Sequence, residues 1–257
     1  MSVKYKIVNQ VKSLLYGSKG EPYTYFDHTL RFKVGTRPAR MKYIDSEYWD
    51  VRNDLLQLAY LKKIFTQDCV LWDIGACYGE YGIIVATMLE NKANKVFCFE
   101  PDEVAARILK ENLRLNGLEQ AVTVFESAVG GKTGKIVFEN LNGSTTSHIA
   151  FTDGASSSNS RVVDCIALNE LSASLPEPTL VKIDIEGAEL KMLLSDTRLF
   201  QNKKIKFLVE LHPWAYPEFK IDFEKLCEKI ASSGREISLL DENKDKADLP
   251  FYGTIVF

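Results

Sequence analysis

No stretch of the chain approaches the roughly 18 apolar residues that a membrane-spanning helix needs, and its first residues show no secretory pattern. A cytoplasmic location is the expectation. Cys-x-x-Cys pairs are missing too: the five cysteines, Cys69, Cys77, Cys98, Cys165 and Cys227, fall mostly in apolar strand or helix patterns. An odd count without paired spacing argues against a disulfide framework and for reduced, buried thiols. There is no long basic run either, and 32 Lys and Arg against 35 Asp and Glu leave a formal charge of −3. Nothing in that balance recruits a nucleic-acid backbone, so no nucleic-acid partner is expected. The dinucleotide pattern Gly-x-Gly-x-x-Gly is absent, as is the Lys-Ser/Thr pair that closes a phosphate-binding loop. A small molecule or a glycan is left as the partner class.

What the chain does have is an ordinary soluble composition: 257 residues, 46% hydrophobic and 26% charged. A single domain over residues 1–257 with one substantial core is expected. Its most informative run is Val70-Leu71-Trp72-Asp73-Ile74-Gly75-Ala76-Cys77-Tyr78-Gly79, followed one strand later by Val96-Phe97-Cys98-Phe99-Glu100-Pro101. An apolar strand ending in an acid and a glycine turn, then a second strand ending in an acid, builds a nucleoside site at the carboxyl edge of an open α/β sheet. The glycines allow close backbone approach, and Glu100 can accept from both ribose hydroxyls. Asp73 before the turn and Glu80-Tyr81 after it make the loop acidic, which suits a cationic ligand without phosphate; S-adenosylmethionine fits that description. Branched substitution at Gly75 is expected to damage this site while sparing folding.

The remaining pattern alternates. An N-terminal extension over 1–46 contains a helix with Val3, Ile7, Val8, Val11, Leu14 and Leu15 at helical spacing, then a hairpin of Tyr23–Phe26 and Thr29–Val34 about Asp27-His28. The helix suits packing on its own domain or on a second copy of the chain as a homodimer, with a membrane surface as the alternative. Residues 47–257 are expected to form the Rossmann-like core, entered by a helix over Glu47–Phe65. Strands are expected near Val70–Asp73, Val96–Glu100, Val122–Phe125, Leu180–Ile185 and Ile205–Leu211, and helices near Gly79–Leu89, Asp102–Asn116, Ala188–Phe200 and Asp222–Ser233. Glu236–Leu240 and Tyr252–Phe257 close the chain with no room for a crossover helix, so the last strand inserts antiparallel. Seven strands with the last reversed is the class I methyltransferase architecture. Between the third and fourth core strands, Lys135–Glu139 and Arg161–Leu168 are expected as added strands around a mobile loop, Asn140–Ser160. Two roles fit that loop: a lid over the substrate, or a solvated hairpin tip.

Leu180-Val181-Lys182-Ile183-Asp184-Ile185-Glu186-Gly187-Ala188-Glu189, taken with the Asp73 turn, Phe99-Glu100-Pro101 and Glu210-Leu211-His212, resembles the FkbM family of S-adenosylmethionine-dependent methyltransferases over about residues 68–212. The resemblance implies an O-methyltransferase acting on a hydroxyl of a sugar, glycan or secondary metabolite. It implies a cofactor set of Asp73, Gly75, Ala76, Cys77, Tyr78, Gly79, Glu100, Pro101, Ser127, Ala128 and Asp184. Asparagine is usual in the family at the position of Cys77, so a polar cofactor contact is either lost there or supplied by backbone.

Methyl transfer to an alcohol holds oxygen, methyl and sulfur in line and removes the hydroxyl proton. Asp184, Glu186, Glu210 and His212 are the candidates for that work. His212 is favoured as the general base, because an unperturbed imidazole titrates near 6.5. Asp184, Glu210 and His212 also suit a divalent cation, a reading ranked below direct proton transfer. Trp214 and Tyr216 stand next in the chain, and two roles fit them: a stacking wall for an acceptor, or packing beneath a loop. His28 and His148 are read as surface residues. A non-catalytic cofactor-binding module and an N-methyltransferase are the alternatives, and a nicotinamide dehydrogenase is disfavoured by the glycine spacing.

Overall fold

The computed structural model describes residues 3–36, 49–65, 68–90, 93, 95–139, 148–149 and 160–257. In chain order, α1 (Val3–Tyr16) leads to β1 (Glu21–Tyr25), β2 (His28–Phe32) and α2 (Trp49–Ile64). The core alternation follows as β3 (Leu71–Ile74), α3 (Glu80–Met88), β4 (Val96–Phe99), α4 (Glu103–Leu115) and β5 (Val122–Phe125). Four further strands come next: β6 (Ala128–Gly130), β7 (Gly134–Glu139), β8 (His148–Ile149) and β9 (Ser160–Ala167). The chain then runs through α5 (Leu168–Ser174), β10 (Leu180–Ile183), α6 (Glu189–Ser195), β11 (Lys206–Leu211), α7 (Tyr216–Phe219), α8 (Phe223–Ser232), β12 (Ser238–Leu239) and β13 (Gly253–Val256).

The main sheet has seven strands in the order β12-β13-β11-β10-β3-β4-β5. β11, β10, β3, β4 and β5 are mutually parallel, and β13 inserts antiparallel between β11 and β12. This is the seven-stranded arrangement expected from the chain's last two strand-like runs. Every residue of β3, β4 and β10 is buried because helices cover both faces. Alternate side chains feed opposite layers: Leu71 and Cys98 join the core under α3 and the hairpin, while Trp72, Ile74, Phe97 and Phe99 join the core under α6 and α8. The β1–β2 hairpin contributes Tyr23, Tyr25, Leu30 and Phe32 to the first layer. Its Tyr25 hydroxyl donates to Glu80 at 2.8 Å, and Asn112 of α4 accepts from the Lys33 amide while donating to the Tyr78 carbonyl.

The added segment forms a second sheet, ordered β6-β9-β7-β8. Most of the expected Asn140–Ser160 loop lies outside the described residues, but His148–Ile149 pair antiparallel with β7 and so are strand, not loop. Two residues amid Ser, Thr and Asn carry too little periodic signal to be read as a strand. The helix expected through Phe200 ends at Ser195 and gives way to a single 3-10 turn, Arg198–Gln201. All five cysteines are free, with Cys77 and Cys227 only half-buried. On α1, Ile7, Val8, Val11, Leu14 and Leu15 are exposed. Among the described residues no helix is long and apolar enough to cross a membrane.

Candidate active site

At the carboxyl end of β3 the backbone turns through Gly75 at φ +81° and Gly79 at φ +82°. A Cβ on Gly75 would lie 1.8 Å from the Asp184 carbonyl oxygen, so the glycine is demanded by the neighbouring strand's backbone as well as by any ligand. The expectation that substitution here would spare folding is corrected on that ground. Cys77 also lies in the left-handed region, at φ +48°. Asparagine enters that region more readily than most residues, which gives a conformational reason for asparagine there. The Cys77 backbone N–H donates to Glu100 Oε2 at 2.7 Å, and the Asp102 N–H donates to Oε1 at 2.8 Å. Glu100 is thus fixed at the mouth of β4 with acceptor capacity to spare. Burial pushes its carboxyl up to about 7, against the pull of those two amides.

Asp73 is completely buried beneath the turn and does not line the cleft above it. Parallel register aligns Asp73 with Lys182 of β10 on one side and Cys98 of β4 on the other. The Lys182 ammonium lies 3.7 Å from Asp73 Oδ1 and 3.3 Å from Asp184 Oδ2, under the Tyr81 ring at 4.6 Å. Burial raises the Asp73 carboxyl and Lys182 draws it back. This buried lysine links the first acid of the glycine turn to the acid at the end of β10.

Beyond Asp184 the chain makes a tight turn with Glu186 at φ +52° and Gly187 at φ +111°. Holding a glutamate in that region costs on the order of 1 kcal/mol and persists only where surrounding contacts impose it. The contacts converge on Glu189, which is fully buried at the start of α6. Its carboxylate accepts from the Gly187 N–H at 2.8 Å, the His212 N–H at 2.8 Å and the Tyr216 hydroxyl at 3.0 Å. The buried His212 ring has Nδ1 3.4 Å from Glu189 and Nε2 3.5 Å from Glu186 and 3.7 Å from Asp184.

Burial pulls the His212 pKa down, but Glu189 beside Nδ1, with the charges of Asp184 and Glu186, outweighs it and pushes it up to about 10. That direction of shift favours the imidazolium, which has no lone pair for a hydroxyl proton. These three carboxylates weigh against the general-base role expected for His212 and turn attention to Glu186. Glu186 is raised to about 8, chiefly by burial, with Asp184, Glu210 and Glu189 adding to the rise and His212 opposing it. Glu210 sits behind the site, accepting from Gln57 at 2.8 Å and from the Tyr252 hydroxyl at 2.9 Å. One ligand atom each from Asp184, Glu210 and His212 falls within 4.8 Å of the others, so the geometry of the cation alternative is present.

A cleft enclosing about 620 Å³, open solvent at its mouth included, joins these parts. Of the expected cofactor set, Gly75, Cys77, Glu100, Pro101, Ala128 and Asp184 line it, and Glu186 joins them. Ala76, Tyr78 and Gly79 shape the turn without lining the cleft, and Ser127 is buried beside it with its hydroxyl unpartnered among the described residues. Glu210 and His212 stand behind the carboxylates. Phe138 of β7 and Ile149 of β8 cover the cleft from the second sheet. Sequence reasoning missed these two, together with Lys182 and Glu189, although the last two lie inside the quoted Lys-Ile-Asp-Ile-Glu-Gly-Ala-Glu run. His148, read as a surface residue, is half-buried, 3.3 Å from Glu139 and edge-on to Trp214. Tyr216 is buried, leaving Trp214 as the exposed aromatic at this edge.

Residues 73–237 match the family described as Methyltransferase FkbM domain. Hexuronic acid methyltransferase AglP of Haloferax volcanii is 31% identical over 208 residues, covering 77% of this chain and 79% of AglP. The fold is similar to that of methyltransferase FkbM from Methylobacillus flagellatus KT, with a TM-score of 0.51 at 18% identity. That likeness covers 85% of this chain and 56% of the other, so this chain spans little more than half of that protein's length.

Proposed function

The chain belongs to the FkbM methyltransferase family, and from that premise we propose that it is an S-adenosylmethionine-dependent O-methyltransferase whose acceptor is a sugar hydroxyl. One observation carries the reading: a single cleft has Glu100 at its nucleoside end and Asp184 and Glu186 at the other. S-adenosylmethionine, when bound, supplies an electrophilic methyl group on a sulfonium centre. The residues present fit it: positive-φ glycines at the turn, Glu100 with acceptor capacity for ribose hydroxyls, and an acidic far end for a cation. The hexuronic acid named for AglP supports a sugar as acceptor.

Glu186 is the proton acceptor in this reading. A carboxylate that titrates near the working pH combines availability with driving force, and its rise to about 8 puts it there. The buried His212 imidazolium, 3.5 Å away, holds the anionic form of Glu186 in place. Lys182 positions Asp184 from below at 3.3 Å. Trp214, 51% exposed and 6.5 Å from the His212 ring centre, offers an apolar wall to a sugar ring at the same edge.

The test is incubation with methyl-labelled S-adenosylmethionine and hexuronate-terminated or neutral oligosaccharides, with the product mapped by NMR. An O-methyl sugar is expected, lost in Glu186→Gln and given a raised KM in Trp214→Ala. Methyl transfer to amines alone would replace this reading with the N-methyltransferase one.

A further inference from the structure

A second cleft adjoins the first. Its walls are the β6–β7 turn, Gly130-Gly131-Lys132-Thr133-Gly134-Lys135, and the outer face of α6 with Lys191, Met192 and Ser195. Val129 and Ile149 line both clefts, and Ala188, two residues beyond Glu186, lines the second. The two clefts therefore share a wall, and the second runs past the start of α6 at Ala188. The turn must be glycine-rich to lie this close to its neighbours: a Cβ on Gly131 would stand 3.0 Å from the Ser195 Cβ, and one on Gly130 would stand 2.8 Å from the Cys165 sulfur.

The charge of this cleft departs from that of the chain. Acids outnumber bases in the sequence, 35 to 32, yet the lining holds three lysines and no carboxylate among the described residues. Lys135 is paired with Asp164 outside the lining at 2.5 Å, and the Lys191 ammonium lies 5.6 Å from the Phe219 ring centre. Lys132 has no ion pair among the described residues. Between the lysines the floor is apolar, made by Ile136, Ile149 and Met192. The first cleft is the reverse: Glu100, Asp184 and Glu186 line it, with no lysine among the described residues of its lining. An acidic acceptor entering the catalytic cleft with its acid group foremost would be repelled.

We propose that this second cleft is the acceptor's anion subsite: it seats a carboxylate or phosphate group of the acceptor against Lys132 and Lys191, while the ring rests on the apolar floor and its hydroxyl reaches Glu186. Val129 and Ile149, which line both clefts, and Ala188, two residues from Glu186, set this subsite beside the first cleft. The proposal rests on the sugar-acceptor reading for its occupant, and on the cleft itself for its charge.

The experiment is an NMR titration of the isotope-labelled chain, loaded with S-adenosylhomocysteine, using glucuronate, glucose 6-phosphate and glucose, followed at the amides of Gly130, Gly131 and Gly134. At least one anion is expected to saturate those amides at a concentration about tenfold below that for glucose. Which of the two does so assigns carboxylate or phosphate. Lys132→Ala/Lys191→Ala is expected to remove the preference while leaving S-adenosylhomocysteine affinity within twofold, since both lysines are exposed and neither lines the cleft that holds Glu100. Raising the salt from about 0.05 to 0.5 M should weaken anion binding in the unaltered chain. Glucose binding as tightly as both anions, neither anion perturbing those amides, or anion affinity unchanged in the double variant would each overturn the subsite. Failure of the acceptor reading looks different: the anion preference persists, yet no sugar hydroxyl receives a methyl group.

Discussion

Replacing Glu189 by glutamine keeps the side chain's volume and removes one acceptor and one charge from the centre of the site. The carboxylate accepts three hydrogen bonds, one on Oε2 and two on Oε1. If the amide oxygen keeps the Oε1 position, the amide nitrogen faces the Gly187 N–H, donor against donor, and that buried backbone group is orphaned. A bond to a charged group contributes about 1.5–3 kcal/mol and an unsatisfied buried donor costs about 1–3 kcal/mol, so a loss of about 2–4 kcal/mol is expected. For a chain of this size that lowers Tm by roughly 5–15 °C. The same change removes the strongest influence raising the His212 pKa, which should fall from about 10 towards the ordinary histidine value. Urea denaturation measures the first effect and an NMR titration of the His212 ring measures the second. A stability loss under about 0.5 kcal/mol with an unmoved ring pKa would refute the assignment of Glu189 as the site's anchor.

Gly75→Ala is expected to destabilise the fold by several kcal/mol, because its Cβ would meet the Asp184 carbonyl at 1.8 Å at a positive φ; a normally stable variant in denaturation would contradict the close approach. Burial pushes the Glu186 pKa up to about 8 from its ordinary 4.5, so its contribution to stability is fully present below about 4.5 and is lost as pH rises through 8. A Tm that declines from pH 5 to 8, with the decline flattened in Glu186→Gln, checks this. The same ionisation predicts turnover that rises with pH through the Glu186 pKa, and a flat pH-rate profile would exclude Glu186 as proton acceptor. Chelator is expected to leave turnover unchanged, since both Glu210 oxygens already accept hydrogen bonds and His212 holds its protons; loss restored by Mg²⁺ or Mn²⁺ would establish the Asp184, Glu210 and His212 cation site.

The sheet and the placing of Gly75 and Glu100 in one cleft were legible because local pattern carries them. Fully apolar strands ending in Asp73 and Glu100, with glycines after the first, need no distant partner to be read. The end with Asp184, Glu186 and His212 was less so, because its electrostatics are assembled by contacts far apart in sequence. Gln57 of α2 reaches Glu210 across 153 positions, and Glu189 reaches the His212 amide across 23. No short window shows that Asp184, Glu186 and Glu189 close around His212 and push its pKa up. Lys182 reads in sequence as a polar interruption of a buried strand; register alone shows that it faces Asp73. Phe138 and Ile149 reach the cleft because the second sheet folds back over it, a tertiary event without a local signature.

The central claim is that the cleft between Gly75, Glu100 and Asp184 binds S-adenosylmethionine. Calorimetric titration of the chain with S-adenosylhomocysteine and, separately, with NAD tests it most directly, on the unaltered protein and on Glu100→Ala. Two ribose hydrogen bonds to a carboxylate, each contributing about 1.5–3 kcal/mol, together with the loop anchoring at Cys77 and Asp102, predict at least tenfold weaker S-adenosylhomocysteine binding in Glu100→Ala. NAD is predicted not to bind. Preferential binding of NAD, or S-adenosylhomocysteine affinity that is unchanged without the Glu100 carboxylate, would contradict the account.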